Sequence, residues 1–183
     1  TARLAQIVSD QTSNDLIIEM SEHRISALGP VPSLTKTEIA ESTNIVAQMG
    51  VEPVIAALAE GAQIVVAGRC YDPVIFAAVP VMQGFSEALA LHMGKILECA
   101  AIAAIPGSGS DCILGTLDAS GFVLEALNPE RRCTVTSVAA HTLYEKSDPR
   151  LLPGPGGLLD LTGCQFEQLD NRRVRVTGTQ FVK

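Results

Sequence analysis

The chain has 183 residues, a formal net charge of −7 and a pI near 4.9. That length suits one domain with a sizeable core, and no Lys/Arg run offers a phosphate footprint, which excludes general nucleic-acid or anionic-membrane binding. Five scattered cysteines (Cys70, Cys99, Cys112, Cys133 and Cys164) contain no C-x-x-C pair, so neither a zinc ribbon nor a disulfide framework is expected and a reducing cytoplasm is. With no long apolar run and no basic leader, neither a spanning helix nor a signal peptide is expected. Thr1 in place of Met suggests a processed chain or an excerpt.

Leu4, Ile7 and Val8 recur at helical spacing, which predicts a helix over 2–10, and a short strand over 16–18 comes after the punctuation at Asn14. The GPVP stretch at 29–32 reads as a turn or linker. Thr35 and Glu38 then form a capping box that opens a helix expected to run to Met49 and close at Gly50. A second helix runs from Pro53 to Glu60, with Gly61 as its left-handed cap.

Residues 61–73, GAQIVVAGRCYDP, organise the middle of the chain. The apolar run 62–67 is too short for a helix and does not alternate, which fits a parallel strand covered on both faces. Gly68 ends it, and Asp72 and Pro73 suit the start of the next helix. Arg69 therefore falls in a strand-to-helix loop, where open α/β sheets place their ligands, and its guanidinium would clamp a carboxylate or phosphate. A plain salt bridge is the competing use for such an arginine.

The longest helical pattern spans 86–104, with Met93, Leu97, Ala100 and Ala104 as its apolar stripe and His92, Lys95 and Cys99 on another face. That face combines an acid–base group, a cation and a thiol; its bland alternative is a solvated or interface surface. The loop 106–111, PGSGSD, places Ser108 and Asp111 as ligand contacts, although it lacks the Walker and dinucleotide signatures. Strands at 113–117 and 122–127 make a hairpin. A helix over 135–146 lines up Ser137, His141 and Glu145, where His141 is the candidate proton shuttle and Ser137 a polar contact rather than a nucleophile, because no G-x-S-x-G elbow exists. The stretch 151–157, LLPGPGG, reads as an irregular loop. A final hairpin joins 164–169 to 173–177, with Val174 and Val176 inward and Arg173 and Arg175 outward. There is no internal repeat, and no spacing requires a metal or cofactor.

The fold class these elements imply is α/β: a partly parallel sheet flanked by helices, with antiparallel hairpins toward the C-terminus, in a single domain whose residues 112–183 are richer in antiparallel strands. The blocks GAQIVVAGRCYDP, LALHMGKILECAAIAAIPGSGSDCILGTL, LNPERRCTVTSVAAHTLYEKSDP and PGPGGLLDLTGC, in that order, resemble the acyclic terpene utilisation family, formerly a domain of unknown function. The resemblance runs from about Gly29 to Phe181; residues 1–28 do not share it by eye. It marks the chain as similar to the later part of longer proteins that begin with a glycine-containing α/β segment.

The resemblance implies an α/β cytoplasmic protein encoded among bacterial genes for breaking down acyclic terpenes, branched acids or related carboxylates, often beside acyl-CoA enzymes. Gly68, Arg69, Asp72, His92, Lys95, Glu98, Asp111, Ser137 and His141 fall in its recurrent blocks, and no catalytic assignment comes with them. The expected function is an enzyme domain with hydratase or lyase chemistry on a small branched carboxylate or its CoA thioester. His92 or His141 would act as base, Lys95 or a loop N–H as donor to the developing enolate, and Arg69 as clamp, with Asp72, Ser108, Asp111 and Ser137 as substrate contacts. The rival is a non-catalytic ligand-binding or assembly subunit, with a homo-oligomer or partner subunit as its company.

Overall fold

The computed structural model describes residues 1–27, 31–146 and 148–183, so Gly29 and Pro30 of the expected turn lie outside the described residues. Contacts divide the chain into two compact units, Thr1–Tyr71 and Asp72–Lys183.

The first unit begins with a strand where a helix was expected. β1 (Leu4–Ile7) pairs in parallel with β2 (Ile64–Ala67), Leu4 opposite Ile64 and Ile7 opposite Ala67. Apolar residues three and four apart over so short a stretch fit either period, and a partner far along the chain settles the matter. The strand expected over 16–18 lies inside α1 (Ser13–Ser21), which Thr12 starts by accepting the Asp15 N–H on its hydroxyl. Thr35 and Glu38 form the predicted capping box, each side chain accepting the other's backbone N–H, yet α2 (Lys36–Glu41) stops at an extended Ser42. Beyond it, Val46 and Met49 make isolated bridges to Asp10 and Cys70 instead of extending a helix to Gly50. α3 (Glu52–Ala59) matches expectation, with Gly61 left-handed after it at φ +87°. It packs against β1 and β2. The alternate positions Leu4, Ile64 and Val66 are 61%, 47% and 52% exposed, so β2 is not covered on both faces as its unbroken apolar run implied.

The second unit is built around a buried helix. α4 (Val74–Met82) takes Pro73 rather than Asp72 as its N-cap and continues through Pro80 in its last turn. α5 (Glu87–Leu97), capped by Ser86, is buried at every position from 88 to 96. Its close approach to the start of α4 requires Gly94, where a Cβ would lie 2.6 Å from the Pro73 carbonyl oxygen. The helix predicted to reach 104 ends at Leu97 and gives way to a 3₁₀ turn (Ala100–Ile102) and β3 (Ala104–Ile105).

β4 (Ile113–Leu117) and β5 (Gly121–Ala126) form the predicted hairpin, β6 (Arg132–Cys133) pairs with β3, and α6 (Val135–Thr142) starts at its Thr134 cap. The 151–157 stretch is not irregular: β7 (Leu151–Gly154) and β8 (Gly157–Asp160) make a hairpin whose turn holds Gly156 at φ +80°. β9 (Gln165–Gln168), β10 (Arg173–Thr177) and β11 (Gln180–Val182) complete two antiparallel sheets, ordered β4-β5-β10-β9 and β11-β8-β7. The core lies where α5 and α6 meet the larger sheet, with Met93, Ile96 and Val138 against Phe122, Leu124, Val174 and Val176. A parallel pair succeeded by antiparallel sheets toward the C-terminus is the expected α/β class.

Candidate functional site

His92 sits in the core of the second unit, fully buried. Its Nε2 is 3.0 Å from the Thr142 hydroxyl and its Nδ1 is 2.7 Å from that of Thr179. Because the Thr142 hydroxyl already donates to the Val138 carbonyl, it accepts from Nε2–H, and Nδ1 accepts from Thr179. Phe122 and Phe166 meet the ring edge-on at 5.2 and 6.3 Å. Burial, with Lys95 nearby, pushes its pKa down to about 3. The imidazole is neutral and both nitrogens are committed, so in this arrangement His92 ties α5 to α6 and to Thr179 and holds no lone pair for a substrate proton.

One turn further on, Lys95 is also buried, and its Nζ donates to the Tyr144 carbonyl at 2.9 Å. Glu98 Oε1 lies 3.9 Å away. Burial lowers the Lys95 pKa, and Lys146 adds to the effect against Glu98 and Glu145. Burial likewise raises that of Glu98, which Lys95 opposes while Asp72 and Glu145 reinforce it. Both partners are pushed toward neutrality because desolvation exceeds an attraction acting across 3.9 Å.

Glu98 opens on a cleft of about 410 Å³ whose walls include Cys99, Ser108, Gly109, Asp111 and Tyr144. α5 has ended before Cys99, so the thiol does not share a helical face with His92 and Lys95. Burial first, then Glu98 and Glu145, raise the Cys99 pKa, which keeps the thiol protonated and a poor nucleophile. Ser108 Oγ accepts the Ser110 N–H at 3.3 Å, which leaves its own hydrogen for a guest. Asp111 anchors the loop: its carboxylate accepts from Asn128 Nδ2 and the Cys112 N–H, both at 2.9 Å, and these bonds hold its pKa below the usual range.

Behind that loop stands Arg131, a residue that sequence reasoning missed. It is 4% exposed, donates to the carbonyls of Ala101, Ala104 and Pro106, and faces Asp111 Oδ2 at 3.2 Å. The signal was an Arg-Arg pair after a hairpin, with no periodicity to mark which one turns inward.

A second cavity, also about 410 Å³, shares Ile102 and Tyr144 with the first and is lined by Ser137 and His141. The Ser137 hydroxyl accepts the Thr134 N–H at 3.0 Å and donates to the Ala103 carbonyl at 2.8 Å, so its hydrogen is spent within the fold. His141 lies against Tyr144, ring centroids 5.7 Å apart. Glu145 does not continue their helical face, because α6 ends at Thr142 and Glu145 turns left-handed at φ +58°.

Arg69 belongs to the first unit and the two imidazoles to the second. Arg69 is exposed, and its backbone N–H donates to Ser9 Oγ at 2.8 Å. That approach explains Gly68, where a Cβ would collide with the same oxygen. Asp72 opens the second unit, half-buried and within electrostatic reach of Glu98 and Lys146. Among the described residues no three His, Cys, Asp or Glu side chains gather as metal ligands would, and no helix is long and apolar enough to cross a membrane.

A parallel strand pair, three antiparallel sheets and a cleft at the end of a buried helix define a mixed α/β protein. The family model described as Acyclic terpene utilisation family protein AtuA matches residues 1–108 and 118–183, and the chain belongs to that family. The match takes in β1 and α1, where the resemblance of the quoted blocks is poor. No curated protein and no solved structure matches the chain.

Proposed function

We propose that this chain carries acid–base chemistry in the breakdown of acyclic, branched carbon skeletons, moving a proton beside a carbonyl as hydratases and lyases do. The observation that carries the reading is Glu98, a carboxylate with a raised pKa at the mouth of a cleft and 3.9 Å from a buried lysine. A carboxylate whose pKa is raised holds a proton more readily than an ordinary one, which suits it to take and return a proton. Lys95 holds it in place and tunes it. Negative charge developing on the carbonyl oxygen would be met by the Ser108 hydroxyl and the Gly109 N–H in the same wall.

The described lining holds apolar Leu97, Ala100 and Ile102 and no Lys or Arg to receive a free carboxylate, which favours the uncharged acyl group of a thioester at the reacting end. A branched acyl-CoA is therefore the preferred substrate. The rival reading, a non-catalytic assembly subunit, draws on the exposed apolar face formed by Leu4, Ile64 and Val66.

Turnover of branched CoA thioesters by the full chain separates the two. Glu98→Gln is expected to lower kcat by about 100-fold or more and Ser108→Ala by about 100-fold, with unfolding midpoints little changed. Unchanged turnover in both variants defeats the assignment.

A further inference from the structure

Among the described residues two buried side-chain polar atoms lack a hydrogen-bond partner. One, Arg131 Nη1, faces Asp111 as an ion pair. The other is His141 Nδ1, and nothing among the described residues answers it. The companion nitrogen, Nε2, is 3.2 Å from the Ile96 carbonyl, which can only accept, so Nε2 carries the proton. Burial lowers the pKa of this ring, and the neutral imidazole therefore presents Nδ1 as a bare acceptor. His92, by contrast, has both nitrogens satisfied by threonine hydroxyls.

His141 is 4% exposed and lines the second cavity, whose other walls include Ile102, Ile105, Ala140 and Leu143. Ile102, Ile105 and Leu143 are 45%, 38% and 42% exposed, an unusual amount of bare aliphatic surface around one buried acceptor. Neither hydroxyl lining the same cavity serves, because Ser137 donates to Ala103 and the Tyr144 phenol to Glu145. No donor among the described residues reaches it, and the open cavity beside the ring offers room for a donor carried by a guest.

We infer that this cavity binds a small, neutral, apolar molecule bearing one hydroxyl group, the hydroxyl donating to His141 Nδ1 and the carbon body lying against Ile102, Ile105 and Leu143. No charged side chain lines the cavity, which selects against ions, and a lone acceptor in an aliphatic wall selects an alcohol or phenol over a hydrocarbon. Tyr144 covers the imidazole. The residue is 40% exposed, stacks on the imidazole and sits on the turn beside left-handed Glu145. This site adjoins the Glu98 cleft, sharing Ile102 and Tyr144 with it, and its test reads binding rather than turnover.

The probes are p-cresol, which carries the donor, and toluene, which has the same ring and methyl group without it. Calorimetric titration of the full chain is expected to show saturable p-cresol binding about ten-fold tighter than toluene. With ¹⁵N-labelled histidine, p-cresol should move the His141 Nδ1 resonance and toluene should not. His141→Phe keeps an aromatic wall and is expected to erase the preference. Ala140→Leu, at an exposed position, fills the aliphatic volume and should weaken both probes alike. Equal affinities in the wild-type chain, no saturable binding, or an Nδ1 held by a water that p-cresol does not displace would each overturn the inference.

Discussion

His92 shows how far a residue's role depends on what surrounds it. Its folded pKa, about 3, lies below the ordinary 6.5. The stability it confers is therefore complete above pH 6.5 and is lost as the pH falls toward 3, because the unfolded chain takes up a proton that the core refuses. Through that window this one group should remove about 1.4 kcal/mol of stability per pH unit. Urea unfolding across a pH series is expected to show a shallower acid slope in His92→Gln than in the wild type. Identical slopes would mean that the imidazole is not buried neutral. The sequence singled out His92, Lys95 and His141 as polar residues on helical patterns and Asp111 in the PGSGSD loop, and the resemblance placed Glu98 in a recurrent block. It held no sign that Thr142 and Thr179 consume one imidazole, nor that Arg131 braces the loop of Asp111, since those partners lie far apart along the chain.

Among the elements, the starts of α2, α5 and α6 were legible and their lengths were not. The Thr35–Glu38 box and the Ser86 cap act within one turn, so their residues carry the whole signal. Helix ends at Glu41, Leu97 and Thr142 come earlier than periodicity suggested, because the chain leaves each helix to meet a partner or a turn that no local pattern records. The β7–β8 hairpin is disguised by its prolines. Pro153 is tolerated because β7 is an edge strand, where a missing N–H costs no ladder bond. Packing between α4 and α5 makes a direct prediction: Gly94→Ala places a methyl group 2.6 Å from the Pro73 carbonyl oxygen. Overpacking of this kind costs about 1–3 kcal/mol, partly offset by the helix preference of alanine. A lowered unfolding midpoint with helix content retained is the expected result, and an unchanged midpoint would show that the two helices pack less closely.

For the molecule as a whole, burial is unevenly shared. Ile39, Val51 and Val54 are the buried apolar side chains described in the first unit, whereas the second holds the continuous core around Phe122, Leu124 and Ile96. Local opening should therefore need less free energy in the first unit. Native-state hydrogen exchange is expected to run faster by at least about ten-fold for the β1 and β2 amides than for the middle of α5. Equal protection in both units would show that the first is held by more than its own core.

What the sequence by itself determined were the features written in neighbouring residues: the α/β class, the caps, the hairpins with alternating valines and the presence of titratable groups on apolar segments. Tertiary structure alone decided which face of each element met water. It made a strand of Leu4–Ile7, left one side of β2 bare, sealed His92 among hydroxyls and left His141 with an unanswered nitrogen. The reason is physical: a local pattern fixes a period, while burial and hydrogen-bond partners depend on segments the pattern cannot see.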